Sequence, residues 1–125
     1  MSQLSGQLRK QTKEMAISAI LLTRKLPQND EGWTIKKQLI RSATSVAANY
    51  RSACRGRSDR EFYSKLCIVV EELDESMFWL ELTEDIELIL QKDVQPVMEK
   101  MNKLLKILSA AKSTLRNKIN PKELD

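Results

Sequence analysis

The sequence contains no histidine among its 125 residues. This absence excludes catalytic triads with a histidine base, metal sites built on imidazole, and acid/base catalysis by imidazole. Its two cysteines, Cys54 and Cys67, are too few for a disulfide scaffold, and without histidine they cannot complete a four-ligand zinc site. We therefore expect no cofactor and no metal, and we expect both thiols to be reduced and buried in the core.

Glycine, proline and aromatic residues are also scarce, with three glycines, three prolines and six aromatic side chains. Sandwiches and barrels need many turns and strands rich in β-branched residues, whereas leucine, alanine, glutamate and lysine dominate this chain. The hydrophobic fraction of 42% is sufficient for a core at this length. The composition predicts an all-α protein that folds as a single domain over residues 1–125.

Long apolar runs are absent as well. No segment approaches the roughly 18 apolar residues of a membrane span. Arg9, Lys10 and Lys13 stand where a signal peptide would have its apolar centre. We therefore expect a soluble, cytoplasmic protein with no membrane partner. We also expect no small-molecule substrate.

Apolar residues recur at helical spacing in four segments, at about residues 4–26, 34–55, 59–85 and 93–119. Pro27 and the polar run after it separate the first two segments. Ser58 and Glu61 have the spacing of a capping box, which satisfies free backbone amides where a helix begins. Asp93 is predicted to cap the fourth helix, with Pro96 in its first turn. Long helices joined by short connections predict an up-down-up-down antiparallel four-helix bundle.

This topology places the starts of the first and third helices beside the ends of the second and fourth. We call this region the basic end, because its twelve basic and five acidic residues give a formal charge of +7. Its members are Arg9, Lys10, Lys13, Arg51, Arg55, Arg57, Arg60, Lys65, Lys112, Arg116, Lys118 and Lys122, with Glu14, Asp59, Glu61, Glu123 and Asp125. The opposite, acidic end has nine basic and twelve acidic residues, a formal charge of −3.

Arginine at the basic end favours bidentate contact with phosphate, which lysine would not provide. The candidate nucleic-acid-binding residues are Arg51, Arg55, Arg57, Arg60, Lys112, Arg116 and Lys118. Tyr50, Phe62 and Tyr63 are near enough to stack on bases, but the spacing places Tyr50 and Phe62 on the core side of their helices. A charge run is often only a solvated helix face, and that interpretation stays open.

Glu71, Glu72 and Glu75 form a Glu-Glu-x-x-Glu run, the first half of the magnesium-binding signature of all-α nucleoside triphosphate pyrophosphatases. The second half, Glu-x-x-Asp, is missing, because asparagine stands three residues after Glu99. The alternative, which we favour, is that these acids pair with basic residues of neighbouring helices, namely Lys36, Lys37, Arg41, Lys100 and Lys103. The sequence therefore predicts a protein that is not an enzyme.

A polar seam follows the second helix through Asn49, Ser42, Ser45 and Ser52. These side chains could form hydrogen bonds across a helix contact or across a subunit contact, and the sequence does not choose between them. Ser45, Ala48 and Asn49 are the candidate interface residues of a homo-oligomer, because small side chains allow close approach.

An ordered string of residues over about 33–82 resembles the four-helix-bundle proteins encoded within intervening sequences of bacterial 23S rRNA genes. The string comprises Gln38 to Ser42, Ser45 to Arg55, Ser58, Glu61-Phe62, Lys65-Leu66, Ile68-Val69, Glu71-Glu72, Asp74-Glu75-Ser76 and Trp79-Leu80-Glu81. Agreement is weaker over residues 22–27 and along the fourth helix. A second branch of that family reads Asn-Ile-Ala-Glu-Gly where this chain has residues 49–53, so the properties of that branch transfer poorly.

The family is distantly similar to the accessory variability protein of diversity-generating retroelements, a pentameric ring that binds nucleic acid and a reverse transcriptase through basic surface. The resemblance implies a non-enzymatic, pentameric homo-oligomer with an RNA or ribonucleoprotein partner. The family has often carried a ribosomal-protein label, which does not establish membership of the ribosome. A second hypothesis is a protein-interaction module that self-assembles without nucleic acid and uses Trp33, and a magnesium-dependent nucleotide pyrophosphatase is the third.

Overall fold

The computed structural model describes residues 3–119, and all secondary structure within that range is α-helical. The elements are α1 (Gln3–Thr23), α2 (Asp30–Cys54), α3 (Asp59–Asp85) and α4 (Gln91–Lys118). Each helix packs against its neighbours in the chain, and α1 also contacts α4. The contact between α2 and α3 is the most extensive of the four, and the contact between α1 and α4 is the least. The predicted four-helix bundle is confirmed.

Side-chain contacts give the direction of each helix. Tyr50 meets Phe62 between α2 and α3, and eight residues earlier on α2 Ser42 bonds Ser76. Residue numbers therefore rise along α2 in the direction in which they fall along α3, so the two helices are antiparallel. Lys100 on α4 bonds Ser18 on α1, and Asp93 earlier on α4 pairs with Lys25 just after α1, so α1 and α4 are antiparallel as well. The arrangement brings the start of α1, the α2–α3 turn and the end of α4 to one end of the bundle.

Buried aliphatic side chains from all four helices form the core between them. Met15, Leu39, Leu73 and Leu108 are among the largest side chains with almost no exposure. Burial of each such side chain contributes about 1.5–3 kcal/mol. Among the described residues, no helix combines the length and apolar character needed to cross a membrane.

The connection between α1 and α2 differs from the prediction. The first helix ends at Thr23 instead of residue 26, and the second begins at Asp30 instead of residue 34. Asn29 caps α2, because its side-chain oxygen accepts the Gly32 N–H at 2.8 Å. A Cβ atom on Gly32 would lie 2.0 Å from the Pro27 carbonyl oxygen, so only glycine allows this close approach.

The predictions for the start of α4 are wrong in two respects. The helix begins at Gln91, and the capping position is held by Leu90, which makes no side-chain cap bond; Asp93 lies inside the first turn. Pro96 consequently falls in the second turn, where its missing N–H removes the helical hydrogen bond to the Lys92 carbonyl. The helix starts early because the N–H groups of Asp93 and Val94 both bond the Leu90 carbonyl, at 2.9 and 3.2 Å.

At the other end of α4, the predicted boundary at residue 119 agrees closely with the last helical residue, Lys118. Lys122, Glu123 and Asp125 of the basic end lie outside the described residues, as does Pro121.

Candidate nucleic-acid interface

A groove of about 670 Å³ lies between α1 and α2 at the basic end. Ile17 and Ile20 of α1, with Ala47 and Ala48 of α2, supply an aliphatic floor. Five exposed cationic side chains line the same groove, namely Arg9, Lys10 and Lys13 on α1 and Arg51 and Arg55 on α2. We call this feature the α1–α2 groove. Positive charge therefore approaches it from both walls.

A second recess, of about 570 Å³, lies where α2 turns into α3. We call it the turn recess; its cationic lining residues are Arg55, Arg60 and Lys65, and Ser58, Ser64 and Glu61 add polar groups. Arg55 lines both features, which makes them neighbours. The basic end thus presents a cationic surface that continues across three helices.

Local structure explains how the arginines of α2 are placed. Arg51 and Arg55 are four residues apart, so they lie on one helix face about 6 Å apart along the axis. Arg51 stands in the last turn of α2, and Arg55 is its capping residue, with its N–H bonded to the Ser52 carbonyl at 3.1 Å. Cations at a helix C-terminus interact favourably with the helix dipole. Arginine at these two positions therefore stabilises the helix and also adds positive charge to the surface.

The predicted capping box places the α3 residues. The Ser58 hydroxyl accepts the Glu61 N–H at 3.1 Å, and α3 begins at Asp59 as predicted. The Glu61 carboxylate accepts the Arg57 N–H at 2.5 Å, one residue before the amide that a standard capping box uses. Arg60 is held in the first turn of α3, where the helix dipole disfavours a cation. Helix stability therefore does not account for Arg60.

Among residues 3–119, the cations of the basic end form no ion pair within the fold. Three ion pairs occur among residues 3–119, and all three lie at the acidic end. Because the groove cations are exposed and form no ion pair there, their charge remains available to an external anion.

The structure brings together only part of the predicted site. Arg51, Arg55 and Arg60 line the two recesses, and Arg57 is exposed in the turn between α2 and α3 without lining either one. The α4 residues belong to the same end but line neither recess, and these are Lys112, Arg116 and Lys118. The candidate list omitted Arg9, Lys10 and Lys13, although their presence in the charge count of the basic end was a signal for them.

Two of the three aromatic residues at this end, Tyr50 and Phe62, belong to the packing of the bundle. Tyr50 is only 2% exposed and meets Phe62 edge-on, with ring centroids 6.3 Å apart. Burial, followed by the proximity of Cys54, raises the pKa of Tyr50 to about 12. The hydroxyl therefore stays protonated at neutral pH. Because the ring is buried, it is not accessible for stacking. Cys54 is buried as predicted, whereas Cys67 is only half-buried.

The polar seam on α2 divides between two uses. Ser42 and Ser76 share a 2.9 Å hydrogen bond across the α2–α3 contact. Asn49 donates to the Ser45 hydroxyl at 2.9 Å and to its carbonyl at 3.0 Å, so these two residues bond within α2. Ala48 is exposed in the α1–α2 groove. The interface role of Ser45, Ala48 and Asn49 stays a prediction.

At the acidic end, the Arg41 guanidinium bridges two carboxylates of the Glu-Glu-x-x-Glu run. It donates to Glu72 at 2.9 Å and also to Glu75, which accepts the Trp79 indole N–H at 3.0 Å. The hydrogen bond from Trp79 and then that from Arg41 hold the pKa of Glu75 below its usual range. Pairing between helices is therefore confirmed for Arg41.

The lysines predicted to join this pairing do not. Within the part of the chain that the structure describes, Lys36, Lys37, Lys100 and Lys103 form no ion pair with these acids, and Lys100 donates instead to Ser18 at 2.8 Å. The described residues also contain no group of three or more cysteine, aspartate or glutamate side chains placed to hold a metal ion.

These features define a class of protein, an all-α four-helix bundle with cationic recesses at one end. The model of the 23S rRNA-intervening sequence protein family matches residues 6–110, and the chain belongs to this family. The resemblance noted in the sequence is therefore confirmed.

A solved structure supports the same assignment. The chain is similar to a protein from Bacteroides thetaiotaomicron, described as a protein with unknown function from the S23 ribosomal protein family. The two share 28% identity with a TM-score of 0.77, over 83% of this chain and 96% of the other. A comparison with curated proteins gave no match.

Proposed function

We propose that this protein is a non-enzymatic bundle that binds RNA, free or within a ribonucleoprotein, through its basic end. The observation that carries the proposal is the set of exposed cations, unpaired within the described fold, that line the α1–α2 groove and the turn recess. Binding of phosphates by such side chains releases counterions, which drives association with nucleic acid. The resemblance to this family, which implies an RNA or ribonucleoprotein partner, supports RNA as the ligand.

Self-assembly is the second part of the proposal. The protein would act in the cytoplasm as a homo-oligomer, a pentamer with five basic ends, so that individually weak contacts add through multivalency. Ser45, Ala48 and Asn49 are the proposed interface residues, and because Ala48 also lines the α1–α2 groove, the subunit contact would adjoin the RNA-binding surface. Ala48 is exposed, and its replacement by tryptophan should lower the particle mass measured by light scattering. An unchanged mass would show that this face of α2 is not part of the interface.

RNA binding is tested by fluorescence anisotropy with labelled, structured rRNA fragments across a salt series. The variant R9E/R51E/R55E reverses three cations of the α1–α2 groove. We expect it to bind about 100-fold more weakly at about 0.1 M salt, and we expect the slope of log affinity against log salt to fall by about three. Circular dichroism should show that the variant remains helical.

The matched control is K36E/K37E/K92E, which makes the same change in net charge with exposed residues at the acidic end. It should retain affinity close to that of the wild type. Equal loss in both variants would show that total charge, and not the basic end, governs binding. Absence of binding by the wild type would refute the proposal.

A second function, self-assembly or protein interaction without nucleic acid, is favoured by exposed apolar side chains. Trp33 is 63% exposed and Phe78 is 52% exposed, and neither lies at the basic end. Solution mass measured with and without RNA separates the two functions. An oligomer that forms without RNA and never binds it would support this alternative.

A further inference from the structure

We infer that the basic end recognises the backbone of double-stranded RNA by its shape and does not read the bases of a single strand. This inference rests on the proposed function and specifies the kind of RNA. Three observations support it: the chemistry of the α1–α2 groove, the positions of the exposed aromatic rings, and the fixed placement of the cations.

The α1–α2 groove offers cationic donors and almost no other polar side chain. Apart from its five cations, its lining side chains are aliphatic except for Thr44. The Thr44 hydroxyl donates to the Ile40 carbonyl at 2.7 Å, so its proton is already used within α2. Asparagine and glutamine, which bind base edges in pairs of hydrogen bonds, are absent from this lining. Cations on an aliphatic floor contact the phosphates of any sequence.

Proteins that bind single strands stack successive bases on exposed aromatic rings. At the basic end, Tyr50 is buried, Phe62 packs against the core and Tyr63 is half-buried. The rings that are more than half exposed belong to Trp33 and Phe78, which lie at the acidic end, away from the cations. The molecule therefore provides no stacking platform beside its phosphate-binding residues.

The cations are carried by rigid elements. Arg9 and Lys13 are one turn apart on α1, and Arg51 and Arg55 are one turn apart at the end of α2, so two short rows face each other across the groove. A duplex presents its phosphates in a fixed arrangement, whereas a flexible strand must lose conformational entropy to match one. Side chains recognise double-stranded RNA mainly through backbone shape, because its major groove is deep and narrow. The array therefore favours a duplex.

The test compares two labelled RNAs in anisotropy titrations at one salt concentration. One is a hairpin with a stem of about 16 base pairs, the span of a typical duplex-binding module, and the other is an unpaired pyrimidine strand with the same number of nucleotides. We expect the hairpin to bind at least about tenfold more tightly. We also expect a change of stem sequence that keeps all base pairs to alter affinity less than about twofold.

Two variants sharpen the comparison. R9E/R51E/R55E should weaken hairpin binding, and Y63A should leave it unchanged, because no ring is used. The inference fails if the strand binds as tightly as the hairpin, if Y63A weakens binding, or if one stem sequence is strongly preferred. In those cases the proposal that the protein binds RNA is unaffected, and only the inference about double-stranded RNA is wrong. If neither RNA binds the wild type, the proposed function fails as well.

Discussion

At the acidic end of the bundle, opposite charges on neighbouring helices meet. Arg41 on α2 bonds Glu72 and Glu75 on α3, and Lys25 in the turn after α1 lies 3.6 Å from Asp93 on α4. At the basic end, cations from three helices surround open recesses, and the contact between helices is made by aromatic and aliphatic side chains. Ion pairs therefore link the helices at the acidic end, whereas the cations of the basic end are available to a ligand.

The magnitudes explain why the bundle tolerates this difference. Exposed ion pairs contribute about 0–1 kcal/mol each, whereas burial of one large apolar side chain contributes about 1.5–3 kcal/mol. The repulsion among exposed cations is of the same order as a surface ion pair. Packing around Tyr50 therefore outweighs the unfavourable charge that surrounds it, and the basic end can keep its cations unpaired.

The largest expected effect comes from removal of that packing. Y50A should lower the free energy of unfolding by about 3–5 kcal/mol, because it deletes a buried ring and leaves a cavity. The matched variant at the acidic end, W33A, removes an exposed ring and should change stability by less than about 0.5 kcal/mol. Urea unfolding measures both. A cost below about 1 kcal/mol for Y50A would show that packing does not hold the basic end together.

Glycine substitutions at the two ends should differ in sign. G32A at the acidic end should destabilise the protein by about 1–3 kcal/mol, because its Cβ would collide with the Pro27 carbonyl. G6A at the basic end adds a methyl group that would meet only the Arg9 guanidinium, at an ordinary contact distance of 4.0 Å, on a helix where alanine is favoured by about 0.5–1 kcal/mol. Thermal unfolding reports both changes. A neutral G32A would mean that the α1–α2 turn moves easily to accommodate a side chain.

Arginine substitutions test the charge comparison directly. R41Q removes the bridge to Glu72 and Glu75 and should cost up to about 1 kcal/mol at low salt. R51Q removes one cation from a region of like charge but also loses its favourable interaction with the α2 dipole, so the two effects should nearly cancel and stability should change by no more than a few tenths of a kcal/mol. Salt should shrink both effects, because it screens exposed charges. An equal cost for the two variants would contradict the view that the ends use charge differently.

The smallest expected effect depends on pH. The folded state holds the pKa of Glu75 below its usual value of about 4.3, so its contribution to stability is present above that pH and is lost as pH falls through the lower, folded value. Wild type should therefore lose more stability between pH 6 and pH 3 than E75Q. Because Glu75 is partly exposed, the difference should stay below about 1 kcal/mol. Urea unfolding at each pH measures this difference. If wild type and E75Q lose the same stability over this range, the Arg41 bridge does not stabilise the fold.

The sequence was most informative where local chemistry determines structure. The start of α3 was predicted because the Ser58 cap and Glu61 lie three residues apart and their bonds form within one turn. The start of α2 was not, because Asn29 lies in a polar run that also has the composition of a simple turn. The early start of α4 was missed because Leu90 carries no capping side chain, so the first turn relies on backbone bonds alone.

The candidate site shows a similar limit. Topology assigns every charged residue to an end, which was sufficient to find Arg51, Arg55 and Arg60. It does not give the rotation of each helix about its axis, and that rotation decides which residues share a recess. For this reason Arg9 and Lys13 were left out of the candidate list, although they face Arg51 across the groove. The α4 residues were included although they line neither recess.

The uneven contacts between helices have a consequence for the order of folding. The α2–α3 hairpin combines the most extensive contact with a short loop, whereas contact between α1 and α4 is sparse and must bring distant parts of the chain together. Closure of long loops costs more entropy, so we expect the hairpin to form early and the contact between α1 and α4 to form last. Amide hydrogen exchange should then be slowest in α2 and α3. Because α1 forms one wall of the cationic groove, the early hairpin lacks that groove, and ligand binding would select molecules in which α1 has docked on α2.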